Sequence, residues 1–267
     1  MVSCNFVQFQ VISCNTMLTT QRKKAILDEL ARNGQVLAGE LSTAFGVSED
    51  TIRRDLRELA AEGRLQRVHG GALPASAALA SFEQRQDIET VAKRRIARRA
   101  VELIAPGQTV IVDGGTTSAL LVQELPADLH ATIVTHSPSV ATALAAHPRV
   151  EVILIGGRLY KHSIVAVGAA AMEGISRIHA DLYFMGVTGV HPSAGLSTGD
   201  FEEAAIKRAL AARAAETVVL ASASKLNAAS QFVIGDITLA QAIVVEKKTS
   251  AELTRPIEAA GVTVIRA

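Results

Sequence analysis

Tryptophan is absent from this chain, and aromatic residues make up only 3% of its 267 residues. That argues against a single-strand nucleic-acid surface, which depends on aromatic side chains stacking against bases. Cysteine is nearly as scarce. Only Cys4 and Cys14 occur, both within the first sixteen residues, and nothing downstream could pair with them or complete a zinc site. No disulfide framework, metal site or cofactor motif is therefore expected, and the cysteine usage suits a reducing compartment, the cytoplasm. No run of about 18 uncharged apolar residues is present, which excludes a membrane-spanning helix as an expectation. An excess of one charge is also lacking. Lysine plus arginine is 27 and aspartate plus glutamate is 26, a formal net of +1. A uniformly basic coat protein is excluded, but a local basic face is not. What is present is an ordinary globular balance, 49% hydrophobic and 20% charged, in 28.1 kDa. That length exceeds one typical domain.

Residues 1–16 carry no charge. A secretory signal needs a basic start and an unbroken apolar core, and here Asn5, Gln8 and Gln10 interrupt the apolar residues. Met17 opens a segment that reads sensibly by itself, so it is expected to be the natural start, with 1–16 a tail.

Residues 17–73 read as three short helices and a wing. Ile26, Leu27 and Leu30 stripe a first helix, Thr20 to Arg32, which Asn33-Gly34 ends. A second runs from Ala38 to Phe45. Gly46-Val47-Ser48 forms a turn, with Ser48 placed to cap a third helix that reaches Glu62. At 100° per residue, Ile52, Leu56, Leu59 and Ala60 share one face of that helix, and Asp50, Arg53, Arg54 and Arg57 share the other. Two helices joined by a short glycine-containing turn, the second rich in arginine, have helix-turn-helix geometry and suit the major groove of DNA. Ser48 and Thr51 suit contacts at the helix start. Leu65 to Gly71 reads as a hairpin that could bring Arg67 and His69 to the DNA backbone. Periodicity leaves a second reading open, a solvated face on which Arg53 and Arg54 pair with Asp50 or Glu58.

The small, uncharged stretch LPASAALAS (73–81) places a linker over 74–81. From residue 82 to 267 helices alternate with β-rich runs, beginning with one helix over Ile88 to Ile104. This argues for a mostly parallel sheet with helices on both faces. Ligands in such sheets bind at the carboxyl ends of strands. Asp113-Gly114-Gly115-Thr116-Thr117 leads from a strand straight into a helix, an arrangement that offers backbone N–H groups and hydroxyls to a phosphate or carboxylate. Thr135-His136-Ser137 is a second polar strand end. Lys207 and Lys225 are candidate charge partners for an anion, and solvent exposure is their plainer reading. The cluster Lys93, Arg94, Arg95, Arg98 and Arg99 could touch DNA phosphates, but a solvated face paired with Glu89 and Glu102 is preferred.

Leu41-Ser42-Thr43-Ala44-Phe45-Gly46-Val47-Ser48, then Thr51-Ile52-Arg53-Arg54-Asp55-Leu56 and His69-Gly70-Gly71-Ala72, closely resemble the DNA-binding domain of DeoR/GlpR-type bacterial transcriptional regulators. Lys93-Arg94-Arg95-Ile96-Ala97, Asp113 to Thr117, Ile155-Gly156-Gly157, the Glu202/Glu203 to Lys207-Arg208 segment and Lys225 extend the resemblance to about residue 250. It implies a winged helix-turn-helix followed by an α/β domain similar in fold to ribose-5-phosphate isomerases and coenzyme A transferases. It also implies a phosphorylated sugar as effector. Asp113, Gly114, Gly115, Thr116 and Thr117 would hold the phosphate, and Thr135, His136, Glu203, Lys207 and Lys225 would complete the pocket. Two departures stand out. His136 replaces an Asn common among relatives, which points to pH-dependent binding. Ser222-Ala223-Ser224-Lys225 lacks the Asp of their Asp-Ser-Ser-Lys run, and Ser222 cannot serve as a carboxylate base. The expectation is a repressor of a sugar-catabolic operon with no catalytic residues, acting as a symmetric dimer or tetramer on double-stranded operator DNA. The rival is a sugar-phosphate isomerase with an appended DNA-binding domain. An architectural DNA binder leaves the Gly/Thr loop unexplained.

Overall fold

The computed structural model describes residues 17–75 and 82–267, and the chain divides into two compact units after Ala75. The tail with its two cysteines, and residues 76–81 of the linker, lie outside the described residues.

The first unit runs α1 (Thr19–Asn33), β1 (Val36–Leu37), α2 (Ala38–Phe45), α3 (Glu49–Ala61), β2 (Leu65–Val68) and β3 (Gly71–Pro74). Apolar residues three and four apart put Ile26, Leu30, Leu41, Ile52, Leu56 and Leu59 into one core. Ser48 caps α3 by accepting the Thr51 N–H. The sequence reading missed β1, which adds to the wing in the order β1-β3-β2. The crossing requires glycine at position 71, because a Cβ there would stand 1.9 Å from the Val36 carbonyl oxygen. One buried ion pair ties α1 to α3. Arg22 Nε and Nη2 donate to the two Asp55 carboxylate oxygens at 2.5 and 3.2 Å, with both residues buried. The pair fixes the axial position of the arginine-bearing helix against α1.

The second unit runs α4 (Phe82–Gln86), α5 (Thr90–Val101), β4 (Thr109–Val112), α6 (Thr116–Gln123), β5 (Ala131–Thr135), α7 (Pro138–Leu144) and β6 (Val150–Leu154). It continues with β7 (Arg158–Tyr160), β8 (Val165–Val167), α8 (Ala169–Ser176), β9 (Ala180–Gly186), β10 (Gly189–His191), β11 (Gly195–Thr198) and α9 (Phe201–Ala211). It ends with β12 (Ala214–Leu220), β13 (Phe232–Gly235), β14 (Ala242–Val245), α10 (Ala251–Ala259) and β15 (Thr263–Arg266). The main sheet has the order β15-β14-β12-β9-β4-β5-β6, with every pairing parallel. Its strands carry apolar residues on both sides. Val110 and Val112 face one core and Ile111 the other, as a sheet covered on both faces requires. From β4 the chain moves outward to β5 and β6; from β9 it moves the opposite way to β12. The crevice at the carboxyl ends of β4 and β9 is therefore the topological switch point.

The helix expected over Ile88–Ile104 is α5, Thr90–Val101, and α4 before it was not foreseen. Glu89 separates the two in the left-handed region, at φ 53°, with neither Gly nor Pro to announce the break. The short strands β7, β8, β10, β11 and β13 and helix α8 were not foreseen. Strands of three or four residues are too short to show a period.

Truncating one partner of a buried ion pair strands the other charge, at a cost of about 3–5 kcal/mol. Asp55→Ala should therefore destabilise residues 17–75 by about that amount, seen as faster amide exchange in α1 and α3 under urea. The double change Arg22→Met/Asp55→Leu should recover most of the loss. Unchanged exchange in Asp55→Ala would show that the pair contributes nothing to stability.

Candidate effector cleft and DNA-binding face

Asp113 follows β4 and is fully buried at the switch point. Its Oδ1 accepts the Gly114 N–H at 2.8 Å and faces His136 Nε2 at 2.8 Å. Its Oδ2 accepts from Lys207 Nζ at 2.5 Å, the Gly186 N–H at 2.8 Å and the Tyr183 hydroxyl at 3.1 Å. Burial alone would push this carboxyl up. The Lys207 ammonium and the His136 ring more than offset that and hold it well below the usual carboxylate range. Lys207 is reciprocally raised: burial pulls it down, while Asp113 and Glu203 more than compensate. Glu203 lies 3.4 Å from Lys207 and accepts from the Thr198 hydroxyl at 2.9 Å. Burial, then the neighbouring Asp113, pushes the Tyr183 hydroxyl well above its ordinary value, so it remains a donor. His136 Nδ1 stands 2.9 Å from the Ala166 carbonyl oxygen. Both ring nitrogens thus lie within hydrogen-bond distance of oxygen atoms.

In front of this network lies a cleft. Gly114 to Ser118 line one wall, Gly186 to Thr188 and Thr198 another, and Glu203 and Lys207 the floor; Tyr160, His162, Ser163, Arg85 and Lys225 complete it. The start of α6 presents backbone N–H groups to this space. Gly114 admits no side chain, since a Cβ would lie 2.1 Å from Val165 Cγ1. Arg85 was missed by the sequence reading. Its Nε and Nη2 are buried and have no hydrogen-bond partner, alone among side-chain nitrogens and oxygens of the described residues. Lys225 is partly buried and makes no ion pair with a described residue. Burial first, and then the like charges of Arg85, Lys93 and Lys207, lower its ammonium to about 7, with Glu89 opposing. The cleft therefore carries cationic donors without acceptors, which is what an anion would supply.

Of the residues singled out in the sequence, Gly114, Gly115, Thr116, Thr117, Glu203, Lys207 and Lys225 line the cleft. Asp113, Thr135 and His136 do not. They are fully buried behind it, Asp113 and His136 in the charge network and Thr135 accepting the Ser137 N–H through its hydroxyl. Lys93 is also not on the solvated face expected for it. It is buried and donates to the Arg85 carbonyl at 2.5 Å. Its neighbours Arg94, Arg98 and Arg99 do pair with carboxylates, Glu124 for the first two and Glu102 for the third. Arg85 could not be found from spacing, because its isolation depends on what surrounds it after folding.

In the first unit, α3 exposes Arg53, Arg54 and Arg57, and the wing exposes Arg67 and His69. Arg53 is held by Glu49 at 2.6 Å and Asp50 at 3.6 Å. Arg54 and Arg57 form no ion pair with any described residue. The Ser48 and Thr51 hydroxyls lie 3.0 Å apart at the helix start.

The comparisons with known proteins agree with this division. The DeoR-like helix-turn-helix domain matches residues 22–77, and the DeoR C terminal sensor domain matches residues 88–247. The chain belongs to the DeoR family of helix-turn-helix, DNA-binding transcriptional regulators. It is 34% identical over 251 residues to the HTH-type transcriptional regulator GlpR of Haloferax volcanii, covering 93% of this chain and 98% of that one. It is 32% identical over 228 residues to the glycerol-3-phosphate regulon repressor of Escherichia coli K12, covering 85% and 90%. Among solved structures, ribose 5-phosphate isomerase A of Methanocaldococcus jannaschii aligns with 50% of this chain at 19% identity and a TM-score of 0.37. This chain spans about half of that isomerase chain, 52%, and the likeness carries no argument about function. Among the described residues, no helix is long and apolar enough to cross a membrane.

Sulfate, whose charge is constant from pH 6 to 9, isolates the contribution of Lys225. The ammonium is charged below about 7 and loses its proton above it, so sulfate should bind more weakly as pH rises through that value. A loss of about tenfold is expected, the scale of one charge-assisted hydrogen bond. Calorimetric titration of the full chain checks this, with Lys225→Met expected to bind weakly at every pH. A Lys225→Met protein that keeps the wild-type pH profile would assign the dependence elsewhere.

Proposed function

We propose that the chain represses a sugar-catabolic operon and is released from its operator by a phosphorylated sugar. Residues 17–73 read the DNA and residues 82–267 sense the effector, joined through 74–81. On the DNA side, Ser48 and Thr51 contact the backbone at the start of α3, Arg53, Arg54 and Arg57 enter the major groove, and Arg67 and His69 hold the wing against phosphates. Arg53 must first exchange its Glu49 and Asp50 partners for DNA. On the effector side, the phosphate sits on Gly114, Gly115, Thr116 and Thr117 at the start of α6, between Arg85 and Lys225. The sugar hydroxyls meet Glu203 and the polar walls. The observation that carries this reading is the pair of buried, unpartnered Arg85 nitrogens on a residue that lines one cleft with Lys225 and the start of α6.

Release requires that the sugar phosphate bind the DNA-free arrangement better than the DNA-bound one, and operator DNA then weakens the effector by the same factor. A symmetric dimer or tetramer on a palindromic site suits this class of reader. The isomerase alternative draws on Asp113, Glu203 and Lys225. Lys207 engages both carboxylates and Thr198 also donates to Glu203, which weighs against either as the base; of the three only Lys225 is unpaired.

The test is a mobility shift on DNA upstream of the chain's own operon, at fixed salt, against a scrambled fragment and with a panel of sugar phosphates. Specific binding relieved by one compound is the expected result. Equal binding to both fragments would overturn the reading. In the same assay Arg54→Ala should cut discrimination between operator and scrambled DNA by about 10- to 150-fold, the worth of one bidentate arginine–guanine pair. Unaltered discrimination would remove Arg54 from the readers.

A further inference from the structure

Arg85 lies on α4, a five-residue helix that is the first described element after the linker; only residues 76–81 separate Phe82 from Ala75. We propose that Arg85 is a positioning residue that couples the cleft to the linker: a bound anion bridges its guanidinium to the Gly114–Ser118 loop and so fixes α4. This rests on the anion reading of the cleft given above.

α4 packs against α6 and is held at both ends. Its start is held by the Phe82 N–H donating to the His162 carbonyl at 3.0 Å, with the Phe82 ring buried. Its end is held by Lys93 Nζ on the Arg85 carbonyl. Beyond it, Ser224 donates to Glu89 at 2.9 Å, the residue held in the left-handed region. Residues 86–89 are otherwise exposed, Ile88 by 42%. The Arg85 side chain enters the cleft with two buried N–H donors unmet. Two buried guanidinium nitrogens without acceptors, beside a second cation at Lys225, disfavour the docked position of α4. An anion on the opposite wall supplies the missing acceptors and screens the two cations from each other. It therefore favours the state in which α4 is docked, by its differential affinity for that state. Lys225 sits on a different segment, so its contribution is to affinity and not to α4.

The experiment is amide hydrogen exchange on the full chain with and without inorganic phosphate, against chloride at equal ionic strength, for the wild type, Arg85→Met and Lys225→Met. In the wild type, phosphate should slow exchange about tenfold both in residues 114–123 and in 82–93. In Arg85→Met, at phosphate concentrations that still protect 114–123, the effect on 82–93 should vanish. In Lys225→Met both segments should respond together, at higher phosphate. Arg85→Gln serves as a second variant, and exchange in β4 and β9 reports whether each variant is folded. Protection of 82–93 that persists in Arg85→Met and Arg85→Gln would overturn the proposal, as would a wild-type response confined to 114–123. A wild type in which neither segment responds would overturn the anion reading of the cleft as well.

Discussion

The second unit depends on one buried carboxylate. Asp113 has no contact with water and accepts five hydrogen bonds, from β9, α9, the strand end at His136 and its own loop. A charge in that position is tolerable only if it is paired and its lone pairs are filled. The pairing reaches across 94 residues of sequence to Lys207. It therefore fixes α9 against the switch point, and with α9 the floor of the cleft. The two carboxylates, Asp113 and Glu203, both stand against the Lys207 ammonium. Arg85 and Lys225 are the two cations left without acceptors.

That separation places His136 behind the cleft and not on its lining. Its ring spans from Asp113 to the Ala166 carbonyl on β8. Val165, next along that strand, presses on Gly114. The hairpin, the loop and the carboxylate are one packed assembly. A change in any of them moves the cleft-lining backbone at the start of α6.

How much of this was legible in the sequence depends on how local each feature is. The α3 stripes were legible because a helix converts spacing into faces: Ile52, Leu56 and Leu59 are buried and Arg54 and Arg57 are exposed. The Gly114–Thr117 loop was legible because a strand, two glycines and a helix start are adjacent in sequence. The position of Asp113 was legible, but its role was not. Whether a carboxylate faces a ligand or supports the wall behind it is decided by Tyr183, Gly186 and Lys207, all at least 70 residues away. The break at Glu89 escaped for a similar reason. A glutamate in the left-handed region is unfavourable locally and is held by contacts elsewhere, Ser224 among them. Arg85 escaped because a missing partner leaves no pattern in a sequence.

The same accounting bears on whether the cleft is built to bind or to react. Proton abstraction from carbon needs a basic group with a free lone pair aimed at the substrate. Both Glu203 oxygens are engaged, one by Lys207 and the other by Thr198, and Asp113 is walled off. At position 222, where relatives carry a carboxylate, a buried serine hydroxyl contacts Ser224 at 3.1 Å. The unengaged groups are the Arg85 nitrogens and the N–H groups at the start of α6, which are donors, and the Lys225 amine, which donates when protonated and carries a free lone pair above about 7. Donors stabilise a bound anion equally well before and after any rearrangement of its carbon skeleton. Uniform binding of that kind lowers no barrier. What it can do is weight one arrangement of the protein over another.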